Sequence, residues 1–335
     1  MKRFNEYFNQ WLYDNDGYYA TYKQIGKEGD FYTSVSTSSF FGGAIAKKII
    51  KTIEEGFLPK DTTIVEIGAH HGYLLADIIQ FIYTLKPELL STLNFAIVER
   101  FEGLQKQQKQ YLKDSFGDVI KLKHFNDLKE VHLDHAYVLA NEIFDAFDCD
   151  LVYTNDKGVL QHALVNNHKI EFVDSDNLQI IDHCKKYSIT KGEISLSYKD
   201  FVDTLCNQIK TFEFLTFDYG DRYPRNDFSA RIYEKHQVFP IFEENLDLEK
   251  LYKKSDITYD VHFNYLSDLF KDKQIKTIKF NTQLKALVEF GIIELLEILK
   301  ANVDEATYLK ETQKVKMLLE PTGMGDRFKI LNLRK

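Results

Sequence analysis

Five short apolar runs without strict polar alternation constrain this chain more than any other feature. They are Thr63-Ile64-Val65-Glu66-Ile67, Asn94-Phe95-Ala96-Ile97-Val98, Val119 to Leu122, Ala136 to Ala140 and Phe214 to Phe217. Each is too short for a helix and reads as a strand covered on both faces, as in a parallel sheet. Parallel neighbours need long crossovers, and the sequence supplies them. Leu74, Leu75, Ile78, Ile79, Ile82 and Leu85 share one helical face after the first run, and a polar helix from Glu102 to about Lys113 follows the second. Strand, turn and helix in alternation predict an α/β fold built on one doubly wound, mostly parallel sheet. With 335 residues, 44% of them apolar, the chain can bury a large core.

Around that sheet the rhythm changes twice. Phe4, Phe8, Trp11 and Leu12 repeat at helical spacing, Gly26, Gly29 and Asp30 announce a loop, and a second helix begins near Ser38 or Ser39. This makes residues 1–60 an N-terminal segment of helices and a loop. Between the fourth and fifth strands, Leu151-Val152-Tyr153, Val159 to Val165 and Ile170-Glu171-Phe172 are short strands separated by Asn-Asp-Lys-Gly and Asn-Asn turns. Residues 151–210 therefore read as a small antiparallel insertion with a return helix from Tyr198 to Ile209. Residues 61–150 and 211–335 form the core, with two or three added helices between Leu246 and Lys300 and a terminal strand from Phe328 to Leu331.

The sharpest local signal is Glu66-Ile67-Gly68-Ala69-His70-His71-Gly72, between a strand and a helix. A glycine turn there lets backbone N–H groups approach a polar or anionic ligand, although an ordinary tight turn has the same pattern. The nicotinamide fingerprint needs glycine at its first, third and sixth places. Here His70 stands third, which disfavours a dehydrogenase. Glu99 ends the second strand, where an acid can accept hydrogen bonds from a ribose diol. Asn141-Glu142-Ile143-Phe144-Asp145 ends the fourth strand, and these residues can line a ligand site, cap the next helix, or do both.

A formal net charge of −8 argues against nucleic acid or a lipid surface as partner. No apolar run approaches the roughly 18 to 20 residues that span a bilayer. Cys149, Cys184 and Cys206 are too scattered for a disulfide framework or a zinc motif. The adjacent His70 and His71 have no third ligand nearby, so no metal is expected. Charged residues from Lys2 onward, with no export segment, lead to the expectation of a cytoplasmic protein.

At nine points in order along the chain the sequence resembles the MidA-like methyltransferases, a family that includes the mitochondrial complex I assembly arginine methyltransferase. The points are Gly29-Asp30-Phe31-Tyr32-Thr33-Ser34; Glu66-Ile67-Gly68 through Gly72 with Leu74 and Asp77; Glu99-Arg100; Asn141-Glu142-Ile143-Phe144-Asp145-Ala146; Asp218-Tyr219-Gly220; Tyr233 to His236; Asp256-Ile257-Thr258; Thr282-Gln283; and Met324-Gly325 with Phe328-Lys329. The resemblance implies a class I, Rossmann-like fold, S-adenosyl-L-methionine as cofactor, and a protein arginine as acceptor. It implies that Gly29, Asp30 and Thr33 cover the cofactor, that Glu66, Gly68, His70, Gly72 and Asn141 line its site, and that Glu99 holds its ribose. A guanidinium acceptor is protonated at neutral pH, so carboxylates must grip it and help its proton leave. Glu142 and Asp145 are the catalytic candidates.

Two departures stand out. The family carries glycine where this chain has His70, whose side chain is expected to project toward the cofactor's methionine end. Tyr259-Asp260-Val261-His262 exchanges the family's histidine and aspartate, so no catalytic role is assigned after residue 250. Two rival readings follow: a non-catalytic assembly protein that has lost the cofactor through His70, and a methyltransferase of small molecules.

Overall fold

In a computed structural model, which describes residues 1–21, 33–275 and 277–335, the chain forms two compact units. One comprises Tyr32–Glu142, Asp203–Asp218 and Lys273–Lys335; the other comprises Met1–Phe31, Ile143–Val202 and Tyr219–Asp272.

The first unit is built on seven strands: β1 (Thr63–Ile67), β2 (Asn94–Val98), β3 (Leu122–Phe125), β4 (Leu133–Leu139), β5 (Ile209–Asp221, its last three residues in the other unit), β6 (Thr277–Thr282) and β7 (Phe328–Arg334). Their order across the sheet is β6-β7-β5-β4-β1-β2-β3. The β1–β2, β1–β4, β2–β3 and β4–β5 pairs are parallel, and β6–β7 is antiparallel. The third strand lies at Leu122–Phe125, not Val119–Leu122. Phe125 is buried and pairs with Val98, whereas Val119 is 74% exposed. Apolar residues at Val119 and Ile120 imitate a strand that the register places three residues later.

Helices at Phe40–Glu54 and Tyr73–Leu85 pack on this sheet. Their closeness depends on two glycines. A Cβ on Gly42 would lie 2.5 Å from the Cβ of Asp77, and one on Gly43 would lie 2.7 Å from the ring of Phe81. The Phe40–Glu54 helix can therefore lie almost backbone to side chain against the helix that follows β1.

The second unit holds an antiparallel sheet in the order Lys2–Arg3, Leu160–Asn166, Asp150–Thr154, Lys191–Ile194, with Lys169–Asp174 also paired to Leu160–Asn166. The Phe4–Tyr13 helix buries Phe4, Phe8, Trp11 and Leu12 against Leu151, Ala163, Ile232 and Ile257. The Trp11 indole donates to the Ser255 carbonyl at 2.7 Å, and Arg3 pairs with Asp150. A hairpin, Arg231–Glu234 with Gln237–Pro240, adds Asp256–Thr258 to make a second small sheet. Gly220, at φ 141°, lies where a Cβ would meet the Val261 carbonyl oxygen at 2.2 Å. Only glycine lets Val261–His262 pair with the end of β5, in the register Gly220 with Val261 and Asp221 with His262.

Candidate active site

The strand-to-helix turn after β1 has positive φ at Gly68 (71°), His70 (46°) and Gly72 (79°). It is pinned by bonds from the Gly68 N–H to the Val98 carbonyl at 3.0 Å and from the Gly72 N–H to the Ala69 carbonyl at 2.7 Å. Glycine meets the left-handed conformation without strain. His70 does not, which gives a backbone reason for glycine at this place in the family. The His70 and His71 rings meet edge to face at 4.0 Å between centroids. Nε2 of His71 is buried with no hydrogen-bond partner among the described residues, and burial lowers that imidazole's pKa against an opposing contact with Gln107.

Beneath the turn lies Glu66, buried near the end of β1, whose carboxylate accepts the Leu75 N–H at 3.2 Å. Burial pushes its pKa up to about 8 despite that bond. Asp77, one turn further along the helix, is pushed up to about 7 by the same cause. Among the described residues no cation pairs with either acid, so desolvation dominates.

Glu99 follows β2 and is buried, which raises its pKa. One carboxylate oxygen accepts the Phe101 N–H at 3.1 Å and the other the Gln108 amide at a long 3.4 Å. A carboxylate has about four lone-pair sites, so acceptor capacity remains for a diol. Gln108 also donates to the His70 carbonyl at 2.6 Å, while its oxygen contacts Nε2 of His124 at 3.0 Å. Because the Gln108 nitrogen donates, its oxygen accepts, and His124 is the donor. Gln105 adds a 2.6 Å bond to the Glu99 carbonyl. Sequence reasoning missed both glutamines. Their signal was three-residue spacing between Leu104 and Leu112 on a helix that otherwise reads as polar.

At the end of β4 the Asn141 amide donates to Glu142 at 3.0 Å, while Oδ1 of Asn141 is buried without a partner among the described residues. Glu142 sits at φ 51°, held by its N–H to the Phe217 carbonyl at 2.8 Å. An acid fixed in a left-handed conformation costs free energy and marks a candidate functional position. The structure thus brings Gly68, His70, Gly72 and Glu99 together through Gln108, and sets Asn141 and Glu142 at the end of the strand beside β1. A glycine turn, an acid with spare acceptor capacity and an orphaned amide oxygen fit an adenosine-bearing cofactor.

Thr33 caps the Ser34–Thr37 helix, its hydroxyl accepting the Ser36 N–H at 3.1 Å. Ser34 bonds the buried Gln283 at 3.0 Å, and Thr37 lies 3.7 Å from the sulfur of Met324. Three separate points of the sequence resemblance therefore meet here. Gly29 and Asp30 lie outside the described residues.

Asp145 belongs to the other unit, in the Phe144–Ala146 turn, where burial pushes its pKa up to about 7. Arg231 opposes that rise and Asp260 adds to it. Arg231 donates to Asp260 at 2.7 Å and to the Tyr233 hydroxyl at 2.8 Å; Arg225 contacts the other Asp260 oxygen at 2.9 Å.

Residues 44–281 match the model of a family described as "Putative S-adenosyl-L-methionine-dependent methyltransferase". The mitochondrial protein arginine methyltransferase NDUFAF7 of Danio rerio is 24% identical, over 95% of this chain and 79% of the relative. The same-named protein of Homo sapiens is 24% identical, over 95% and 76%. A crystal structure from Burkholderia thailandensis bound to S-adenosyl-homocysteine superposes with a TM-score of 0.83 at 20% identity, covering 99% of this chain and 87% of that one, which establishes the shared fold. The cytoplasmic expectation is corrected: the named relatives from Danio rerio, Drosophila melanogaster, Bos taurus and Homo sapiens are mitochondrial.

Proposed function

The chain belongs to the family of S-adenosyl-L-methionine-dependent methyltransferases, and we propose that the group it methylates is an arginine side chain of a partner protein. The observation that carries this is the likeness to named protein arginine methyltransferases across 95% of the chain. Two acids of unlike environment support it: Glu142, oriented by Asn141, and the buried Asp145.

When bound, S-adenosylmethionine supplies an electrophilic methyl group; the protein holds donor and acceptor in line and keeps water out. Glu99 would accept from the ribose hydroxyls, the Gly68–Gly72 turn would hold the methionine end, and Asn141 would offer its unpaired carbonyl oxygen. Glu142 grips the guanidinium through charge-assisted hydrogen bonds. An arginine keeps its proton at pH 7 because its pKa exceeds about 12. The acceptor nitrogen must therefore lose a proton as it gains the methyl group. Asp145, pushed up to about 7 by burial, is the proposed base, since a base works best when its pKa lies near the working pH.

The test is transfer of tritiated methyl groups to a cell lysate. Label is expected in a protein band that yields methylarginine on hydrolysis, and it should vanish with Glu142→Gln while S-adenosylhomocysteine affinity stays unchanged. Label confined to small molecules would overturn the acceptor. With Asp145 as base, the rate rises as pH increases through about 7, and Asp145→Asn should remove that rise.

A further inference from the structure

A small cavity of about 30 Å³ opens where Val261–His262 pairs with the end of β5, lined by Glu193, Asp221, Arg225, Asp260 and His262 among others. That is room for roughly two water-sized groups, enough for the tip of a side chain. Most of its charges are already satisfied. Lys191 pairs with Asp227 at 2.6 Å, Arg225 and Arg231 share Asp260, and Glu193 accepts the Ser229 and Ala230 N–H groups at 3.0 and 2.8 Å.

Two groups are left over. Asp221 is exposed at the cavity mouth, accepts the N–H of its neighbour Arg222 at 2.6 Å, and has no cation partner among the described residues, so its charge is open to an incoming group. His262, its register partner across the strand pair, has both ring nitrogens buried with no hydrogen-bond partner among the described residues. Burial holds that imidazole's pKa down at about 4, so it is neutral and presents a lone pair. A buried polar atom left unpaired has lost its water without replacement, so a side chain with two such nitrogens beside a cavity calls for a partner.

We propose that this cavity is a subsite for a basic side chain of the methyl-accepting protein, held between the Asp221 carboxylate and the His262 imidazole. The occupant's charge follows from the lining and its partners: three cations, Lys191, Arg225 and Arg231, meet four carboxyl groups, Glu193, Asp221, Asp227 and Asp260, and Asp221 is the one that no cation pairs with among the described residues. The lining connects to the proposed base, because Asp260 and Arg231 act electrostatically on Asp145. The part played by the methyl acceptor rests on the arginine methyltransferase reading above.

The experiment titrates full-length protein, labelled with ¹⁵N in its histidines, with argininamide, the His262 signals being assigned from His262→Asn. The ring nitrogens of His262 are expected to shift and saturate. Asp221→Asn should weaken that binding about tenfold with unchanged melting temperature and S-adenosylhomocysteine affinity, and Asp221→Glu should recover part of it. No shift at tens of millimolar argininamide, an equal shift with neutral citrullinamide, or a shift with inorganic phosphate alone would each overturn the subsite. The two readings fail separately. If no protein takes up label while argininamide still moves His262, the cavity stands as a basic-side-chain site and the arginine acceptor falls. If protein is labelled and His262 stays silent, the subsite falls.

Discussion

At the scale of single residues, the site depends on groups whose cost is visible. Glu99→Ala removes an acceptor of hydrogen bonds to the ribose, worth about 1.5–3 kcal/mol for a charged group. Calorimetry should show S-adenosylhomocysteine affinity reduced at least tenfold. His70→Gly is more discriminating. Relief of left-handed strain, about 1–2 kcal/mol, is offset by the roughly 0.5–1 kcal/mol entropic cost of glycine. The melting temperature should move little, and any gain in S-adenosylhomocysteine affinity then reports removal of the ring; unchanged affinity would show that the ring does not reach the ligand. Glu66 gives a pH prediction. Its folded pKa of about 8 lies above the ordinary 4.5, so the native state binds the extra proton and stability falls as pH rises from about 4.5 through 8. Glu66→Gln should match the parent near pH 5 and be the more stable protein near pH 8 in thermal melts. Gly68, Glu99 and Asn141 were legible because strand ends and glycine turns announce themselves locally. Gln108 was not, because its importance comes from a contact with the His70 carbonyl, 38 positions away, that no periodicity encodes.

At the scale of elements, the close pair of helices carries the clearest prediction. Replacing a helical glycine by alanine ordinarily gains about 1 kcal/mol of helix propensity. At Gly42 the new methyl would meet the Cβ of Asp77 at 2.5 Å, an overpacking that costs about 1–3 kcal/mol. Because that Cβ is fixed to backbone, the clash wins, and chemical denaturation of Gly42→Ala should show a net loss. The strands β1 and β2 appear where their unbroken apolar runs place them. β3 does not, because a short edge strand is chosen by register with β2 and not by its own composition. The helix at Leu178–Tyr187 and the Arg231–Pro240 hairpin were hidden for a similar reason. Their apolar positions are few, and tertiary partners supply what propensity lacks.

At the scale of the whole molecule, the chain passes between its two units five times, once between residues 21 and 33 and then at 142–143, 202–203, 218–219 and 272–273. Alternation of strands and helices showed the sheet but not this interleaving, because the N-terminal helix finds its partners far along the sequence. The sole tryptophan, Trp11, lies fully buried in one unit, so its emission reports on that unit. Phe8→Ala, which removes a fully buried ring from the same core, should cost about 3–5 kcal/mol. A transition in tryptophan emission at lower denaturant would show it; an unmoved midpoint would mean that this core contributes little.

The bond between the Trp11 indole and Ser255 joins positions 244 residues apart. On a ribosome adding roughly 5–20 residues each second, the greasy face of the first helix waits about 12 to 50 seconds for that partner. For this interval the nascent chain carries an unshielded adhesive surface, which makes newborn copies, more than finished ones, the natural clients of holding chaperones.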